Sequence, residues 1–322
     1  MNFKELPNGM VDGFVLLKKV EVKKTRTGSE YLDMVLADKD GEISAKLWDN
    51  RGEGSVLEAE MIVKVRGTIE QYNGKQQFRV AQIRPVNAED SYNLSDLVPA
   101  SEVGGEQLFL MIKKCVNTFE NEELKSLVSK IIDDRREKFV KYPAAVRLHH
   151  AMVGGLVYHT MSILRMAEEL CRIYPNINRE LLLSGVILHD IAKTCEYETS
   201  KSGLAKSYSV EGELIGHLVK GAMIIDETAR ELGITGEIVT LLEHMLISHH
   251  GVPEFGVAVR PMFLEAQILS TLDTLDATIF EINNALSNVE VGKFSDRQWA
   301  LDNRKLYNHG MSSTKHTVNF GE

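Results

Sequence analysis

The chain has 322 residues, of which 43% are hydrophobic and 26% charged. This composition predicts a globular protein long enough for two domains, and it excludes a chain that is merely a disordered tail or a peptide. No apolar run approaches the roughly 18 residues of a membrane span, and the first residues lack the apolar core of a signal peptide. The three cysteines show no Cys-x-x-Cys spacing, so neither a disulfide framework nor a cysteine zinc site is indicated. We therefore expect a cytoplasmic protein with no membrane partner.

The formal net charge of −9 disfavours a nucleic-acid partner when it is averaged over the chain, because phosphate binding needs a basic surface. The charge is divided unevenly, however. Residues 1–84 carry 14 Lys+Arg and 13 Asp+Glu, whereas the remainder carries 23 and 33. The excess acid therefore belongs to the second part, where it suits a metal site or solubility.

Residues 10–84 show strand patterns separated by turn signals. Ile43, Ala45 and Leu47 alternate with more polar neighbours, which is the period of a half-buried strand. Asn73-Gly74 lies between two further strand-like runs and predicts a hairpin, because both residues tolerate positive φ. Five such runs predict a small all-β barrel of the OB type over residues 1–84, although periodicity alone does not exclude an SH3-like barrel.

Basic and aromatic residues interleave in this predicted barrel. Single-stranded nucleic acid is bound by cations that follow the phosphates and by rings that stack on bases. The alternative is that the lysines protect strand edges from aggregation and the rings fill the core. The candidate nucleic-acid-binding residues are Lys23, Lys24, Arg26, Tyr31, Trp48, Arg66, Tyr72, Lys75, Phe78 and Arg79.

The pattern changes after a polar, turn-rich linker, which we place at residues 85–104. Apolar residues then recur at helical spacing, and we predict an all-α domain over residues 105–310 followed by a tail at 311–322. Helices are predicted near 155–174, 179–193, 212–232, 236–249 and 261–286.

Eight of the ten histidines lie between His149 and His250. Acids accompany them, since Asp190 follows His189 directly and Asp273 lies one turn before Asp276. Imidazole and carboxylate together suit zinc, manganese, iron or cobalt, and a mixed set is more typical of a catalytic than of a structural site. Adjacent His189 and Asp190 would point about 100° apart on a helix, so the carboxylate could bridge to a second ion.

The order of these residues resembles the HD superfamily of metal-dependent phosphohydrolases: His159, His189-Asp190, Lys193, His217, His249-His250 and Asp273. The run from His149 to Thr160, after an OB-like domain, is similar to the YhaM-type 3′-to-5′ exoribonucleases, which combine an N-terminal OB domain with a C-terminal HD domain. This resemblance covers nearly the whole chain.

The resemblance implies a role for each residue. His159, His189, Asp190 and Asp273 would bind a first ion, and His217, His249 and His250 would bind a second that shares Asp190. Lys193 and His150 would contact the substrate phosphate and act with Asp190 in catalysis. The alternatives are a salt bridge for Lys193 and simple packing for His150.

The implied reaction is hydrolysis of single-stranded RNA, and also of single-stranded DNA, from the 3′ end with release of nucleoside monophosphates. Mn²⁺ is the expected metal, with Co²⁺, Fe²⁺, Zn²⁺ or Mg²⁺ as alternatives. Gly251-Val252-Pro253 departs from the Gly-Tyr-Pro signature of cyclic di-GMP hydrolases and disfavours that substrate. Two other functions stay open: a small-nucleotide phosphohydrolase whose barrel mediates homo-oligomerisation, and a single-strand-binding regulator with a structural metal.

Overall fold

The computed structural model of the chain describes residues 3, 9–25, 27–38, 41–48, 52–72, 74–87, 89–92, 96–97, 104–145, 150, 152–200, 203–287 and 289–311. Two of the predicted nucleic-acid contacts, Arg26 and the side chain of Lys75, lie outside this description. Within these ranges, no helix combines the length and the apolarity that crossing a bilayer requires.

The N-terminal strands form a closed barrel in the order β1-β2-β3-β5-β4, in which β4 pairs with β1. All neighbours are antiparallel except β3 and β5, which run parallel. This is the five-stranded Greek-key barrel of the OB fold, so the predicted fold of this part is confirmed. The strands are β1 (Gly9–Lys24), β2 (Glu30–Ala37), β3 (Glu42–Leu47), β4 (Met61–Tyr72) and β5 (Lys75–Pro85).

Alternation along the strands puts one row of side chains inside the barrel. Leu32, Val63 and Phe78 are fully buried there with the other apolar residues of that row. Gly67 is required where β4 bulges against β5, because a Cβ at this position would lie 2.2 Å from the carbonyl oxygen of Arg79. The barrel therefore has its own hydrophobic core.

The second part is mainly helical, as predicted, and also contains a short two-stranded hairpin at residues 197–208. Asn121, Asn178 and Ser209 begin three of the helices, since each side chain accepts hydrogen bonds from backbone N–H groups of the first turn. The elements are α1 (Gly105–Val116), α2 (Glu122–Asp134), α3 (Arg136–Phe139), α4 (Gly155–Ile173), α5 (Arg179–Leu188), α6 (Lys193–Glu196), β6 (Tyr197–Thr199), β7 (Ala205–Tyr208), α7 (Val210–Leu214), α8 (Gly216–Leu232), α9 (Glu237–Ser248) and α10 (Leu264–Leu286).

The predicted helix at 179–193 is interrupted in the structure. α5 ends at Leu188, and the chain turns before α6 begins at Lys193. The turn is tightened by short-range hydrogen bonds, such as that from the N–H of Ile191 to the carbonyl of Leu188. His189 and Asp190 therefore lie at the end of a helix, where α4, α9 and α10 pack against α5.

Candidate metal centre and nucleic-acid interface

Five segments of the helical part converge on one buried cluster. α4 contributes His159, the end of α5 contributes His189 and Asp190, and the first turn of α8 contributes His217. The end of α9 contributes His249 and His250, and α10 contributes Asp273. The structure thus brings together all seven residues that the sequence indicated as metal ligands.

One group of ligand atoms surrounds the Oδ2 side of Asp190. Nε2 of His189 lies 3.4 Å from this oxygen, and Nε2 of His159 lies 3.7 Å from it. Nε2 of His159 is also 3.1 Å from Oδ1 of Asp273. His159, His189 and Asp190 lie close enough together to face a single ion, and Asp273 lies close to both His189 and His249.

A second group surrounds the other oxygen of the same carboxylate. Nε2 of His217 lies 3.6 Å from Oδ1 of Asp190, and Nε2 of His249 lies 3.7 Å from it. Nε2 of His250 lies 3.3 Å from Nε2 of His217. Asp190 therefore stands between two clusters and presents one oxygen to each.

Backbone carbonyls orient three of the imidazoles. Nδ1 of His189 donates to the carbonyl of Val186 at 2.8 Å, and Nδ1 of His249 donates to that of Leu246 at 2.8 Å. Nδ1 of His250 lies 3.1 Å from the carbonyl oxygen of Phe255. A proton held at Nδ1 leaves the Nε2 lone pair for a metal.

Carboxylates orient the other two imidazoles. Nδ1 of His159 lies 2.7 Å from Oδ2 of Asp276, and Nδ1 of His217 lies 2.8 Å from Oε1 of Glu196. Neither acid is assigned a role by the sequence pattern alone. Spacing was the available signal, since Asp276 follows Asp273 by one helical turn and Glu196 follows Lys193 at the same interval.

The charges of the cluster suit a cation. Burial alone would raise the pKa of Asp190, but Lys193 and His189 hold that pKa well below its usual range. Burial likewise opposes ionisation of Asp273, whereas hydrogen bonding with His159 and the charge of His189 lower its pKa. Burial keeps the pKa of His249 well below its ordinary value, so this imidazole is neutral. Ionised carboxylates and a neutral imidazole are the protonation states that metal binding requires.

Two buried atoms of the cluster lack a hydrogen-bond partner within the described ranges, which bears on whether a metal fits there. Among the described residues, Oδ1 of Asp190 and Nε2 of His249 are buried without a hydrogen-bond partner. A buried polar atom left in this way is costly, and a charged one is more so. Imidazole nitrogens and carboxylate oxygens are also the donors that divalent transition metals prefer. The residues therefore fit a divalent metal.

The two residues proposed as phosphate contacts are both buried. Nζ of Lys193 lies 2.7 Å from Oδ2 of Asp190, so the salt bridge considered for this lysine is present. His150 is 2% exposed, its Nε2 lies 2.7 Å from Oδ2 of Asp276, and its ring packs 4.3 Å from that of Phe280. Both side chains thus contact the acids of the site.

The outer face of the barrel carries an ordered group of rings and cations. The rings of Tyr31 and Trp48 stack with centroids 4.9 Å apart, and Nζ of Lys46 lies 5.4 and 5.2 Å from them. In the sheet register Lys46 is next to Arg79, and Arg79 is next to Thr68. Trp48, Thr68 and Arg79 line a groove of about 650 Å³.

The other barrel residues predicted to contact nucleic acid differ in their exposure and in whether they already form ion pairs. Lys23 is paired with Asp33 and Glu21, and Lys24 lies 3.9 Å from Glu30. Arg66 and Tyr72 are exposed on β4. The prediction that Phe78 contacts nucleic acid is wrong, because its side chain is 0% exposed inside the barrel core and cannot stack on a base. Lys46 was not among the predicted contacts, although it lies over the Trp48 ring. Its spacing of two residues from Trp48, which puts both on one strand face, could have indicated it.

Comparisons with known proteins agree with this architecture. Residues 156–278 match the HD domain family, and residues 13–86 match the OB-fold nucleic acid binding domain family. A Geobacillus sp. protein named 3′-5′ exoribonuclease YhaM is 38% identical over 304 residues, which cover 94% of this chain and 93% of the relative.

Two further proteins of the same name are similar to this chain in identity and in coverage. The one from Oceanobacillus iheyensis is 37% identical over 92% of this chain and 93% of its own length. The one from Bacillus subtilis is 35% identical over 92% of this chain and 94% of its own length. The chain therefore belongs to the YhaM family of 3′-5′ exoribonucleases.

Proposed function

We propose that this protein is a metal-dependent exoribonuclease that hydrolyses single-stranded RNA from the 3′ end and releases nucleoside monophosphates. The observation that carries the proposal is the position of Asp190, whose two carboxylate oxygens each face a different group of histidines. The names of the relatives and the stacked Tyr31–Trp48 pair on the barrel support RNA as the substrate.

The site would hold two divalent ions. His159, His189, Asp190 and Asp273 would hold one of them, and His217, His249 and His250, with Asp190 shared, would hold the other. Bound in this way, such ions lower the pKa of water and offset charge on a phosphodiester. We propose Mn²⁺ as the metal, since a ligand set of imidazole and carboxylate without thiolate suits it, with Co²⁺, Fe²⁺, Zn²⁺ and Mg²⁺ as alternatives.

The chain's own residues prepare this site. Lys193 keeps its ammonium charged beside Asp190, because the attraction of that carboxylate outweighs the burial that lowers the lysine's pKa. A cation in this position would also favour an anionic phosphate entering the cluster. Asp276 and Glu196 hold a proton at Nδ1 of His159 and His217, which keeps each Nε2 directed inward.

The barrel would hold the upstream strand while the 3′-terminal nucleotide enters the helical part. Stacking on Tyr31 and Trp48 tolerates any base, so it would give affinity for single strands without sequence readout. Single-stranded DNA offers the same stacking and phosphates and is proposed as a second substrate. A cytoplasmic location agrees with three cysteines that form no disulfide among the described residues. Homo-oligomerisation remains a proposal.

A single assay distinguishes this activity from its alternatives. RNA labelled at its 5′ end is incubated with the full chain and Mn²⁺, with and without chelator, beside Asp190→Asn. We expect a ladder that shortens from the 3′ end and disappears with chelator or the variant. Turnover of mononucleotides with intact RNA would indicate a small-nucleotide enzyme, and RNA binding without turnover would indicate a regulator; either result overturns the proposal.

A further inference from the structure

The chain beyond α10 forms an ordered hairpin that lies outside the two matched families. The N–H of Ser295 donates to the carbonyl of Leu306 at 2.8 Å, and the N–H of Gln298 donates to that of Arg304 at 3.0 Å. Ser295 and Leu301 are each 5% exposed and anchor the segment. Residues 292–308 thus form a C-terminal hairpin.

Three aromatic side chains of the C-terminal hairpin face solvent. Trp299 is 75% exposed, Phe294 is 63% exposed and Tyr307 is 49% exposed. Phe294 and Tyr307 pair across the hairpin with centroids 5.0 Å apart. Three exposed rings within one short hairpin are more typical of a binding surface than a single exposed ring is.

The same hairpin carries four cations: Lys293, Arg297, Arg304 and Lys305. Within the part of the chain that the structure describes, none of them forms an ion pair with a carboxylate. The N-terminal lysines of the barrel differ, since Lys18 is paired with Glu42 and Lys23 with Asp33. The hairpin cations are therefore available to a ligand without first breaking an ion pair.

Rings together with unpaired cations favour a single-stranded nucleic acid as the ligand. Lysine is depleted at protein–protein interfaces, but it is common where phosphates are bound. Exposed rings meanwhile give a base a surface to stack on. We propose that the C-terminal hairpin is a second contact surface for single-stranded RNA, separate from the barrel and the metal centre. The choice of RNA as ligand rests on the proposed function.

The protein has two tryptophans, and they report on the two surfaces separately. Trp48→Phe leaves Trp299 as the fluorophore of the hairpin, and Trp299→Phe leaves Trp48 as that of the barrel. Each metal-loaded variant is titrated with a uridine oligomer whose phosphorothioate linkages resist hydrolysis. We expect quenching in both variants, and a weaker response in high salt because the phosphate contacts are electrostatic.

Affinity provides the second measurement. Trp299→Ala should weaken binding of the oligomer about fivefold or more, since a stacked base is lost. Tyr174→Ala is the matched control, because that ring is 54% exposed and the nearby Arg172 is already paired with Glu169. Unaltered hydrolysis of a dinucleotide would show that Trp299→Ala leaves the metal centre intact.

Two outcomes overturn the proposal. One is the absence of quenching of Trp299 while Trp48 is quenched. The other is unchanged RNA affinity of Trp299→Ala together with a changed sedimentation coefficient, which would make the hairpin a contact between copies of the chain. Failure of the proposed function is separate, since it would appear as ordinary RNA left intact while quenching of Trp299 persists.

Discussion

Oδ2 of Asp276 lies 2.7 Å from Nδ1 of His159, and this contact connects α10 with a metal-ligand candidate on α4. The same oxygen is 2.7 Å from Nε2 of His150. Hydrogen bonds to both imidazoles lower the pKa of Asp276 against the effect of burial, so the acid is ionised. Asp276 would therefore act as a positioning residue, because it orients His159 rather than facing the metal itself.

Asp276→Asn should weaken metal binding. An amide is a poorer acceptor than a carboxylate, so the proton at Nδ1 of His159 is held less firmly and the ring loses orientation. Loss of such outer contacts costs roughly 10- to 100-fold in metal affinity. Calorimetric titration with Mn²⁺ measures the change, with Glu281→Gln on the same helix as control. Equal affinities of variant and native protein would refute the positioning role.

Glu196→Gln should affect one ion more than the other. Oε1 of Glu196 accepts from both Nδ1 and the backbone N–H of His217, so its charge acts on the second cluster. We expect a biphasic titration with Mn²⁺, in which one phase weakens by roughly 10-fold or more and the other is preserved. Exposed Glu198 provides the control as Glu198→Gln. A uniform shift of both phases would argue against two separate ion sites.

The sequence indicated the residues that the structure brings together in the cluster, but not the acids that orient them. His189-Asp190 and His249-His250 are recognisable because their order along the chain is informative without coordinates. The roles of Glu196 and Asp276 depend on which helices face one another, and periodicity does not determine that.

The barrel illustrates the same limit. Alternation correctly predicted the strands, but it did not distinguish an inward ring such as Phe78 from an outward one such as Trp48. Nor did it reveal that Lys23 is already paired with Asp33, because the pairing depends on the register between β1 and β2.

Two lysines of the barrel should therefore differ in their effect on RNA binding. Lys46 lies over the Tyr31 and Trp48 rings, whereas Lys23 is shared between Asp33 and Glu21. Lys46→Gln should weaken binding and reduce the slope of log affinity against log salt by about 0.7, the value for one phosphate contact on a single strand. Lys23→Gln should leave the slope nearly unchanged. Fluorescence anisotropy at several salt concentrations tests this, and equal slopes for both variants would contradict it.

Substitution of an exposed and of a buried ring of the barrel should have different effects on RNA affinity and on stability. Trp48→Ala removes a 43% exposed ring, so we expect RNA affinity to fall by about 1–3 kcal/mol with little change in unfolding. Phe78→Ala removes a fully buried ring and should destabilise the barrel by about 3–5 kcal/mol. Denaturant unfolding and RNA binding are measured on both variants. A free energy of unfolding of Phe78→Ala equal to that of the native protein would mean that the ring is not part of the core.

The barrel and the helical part contact each other through a small buried apolar cluster. Leu204, at the hairpin of β6 and β7, packs in a buried cluster with Leu16 and Ile62 of the barrel. This hairpin directly follows Lys193 and Glu196, so the barrel rests on the segment that leaves the metal centre. The contact would thus align RNA on the barrel with the site.

Leu204→Asp should uncouple the two parts, because it places an unpaired carboxylate in that apolar cluster. We expect hydrolysis of a dinucleotide to be retained and kcat/KM for long RNA to fall towards the dinucleotide value. Lys206→Gln is the control, since its ion pair with Glu58 is solvent-exposed and contributes little. A fall in kcat/KM for both the dinucleotide and the long RNA would indicate damage at the metal centre. Unchanged kcat/KM for long RNA would show that docking of the barrel does not guide the strand.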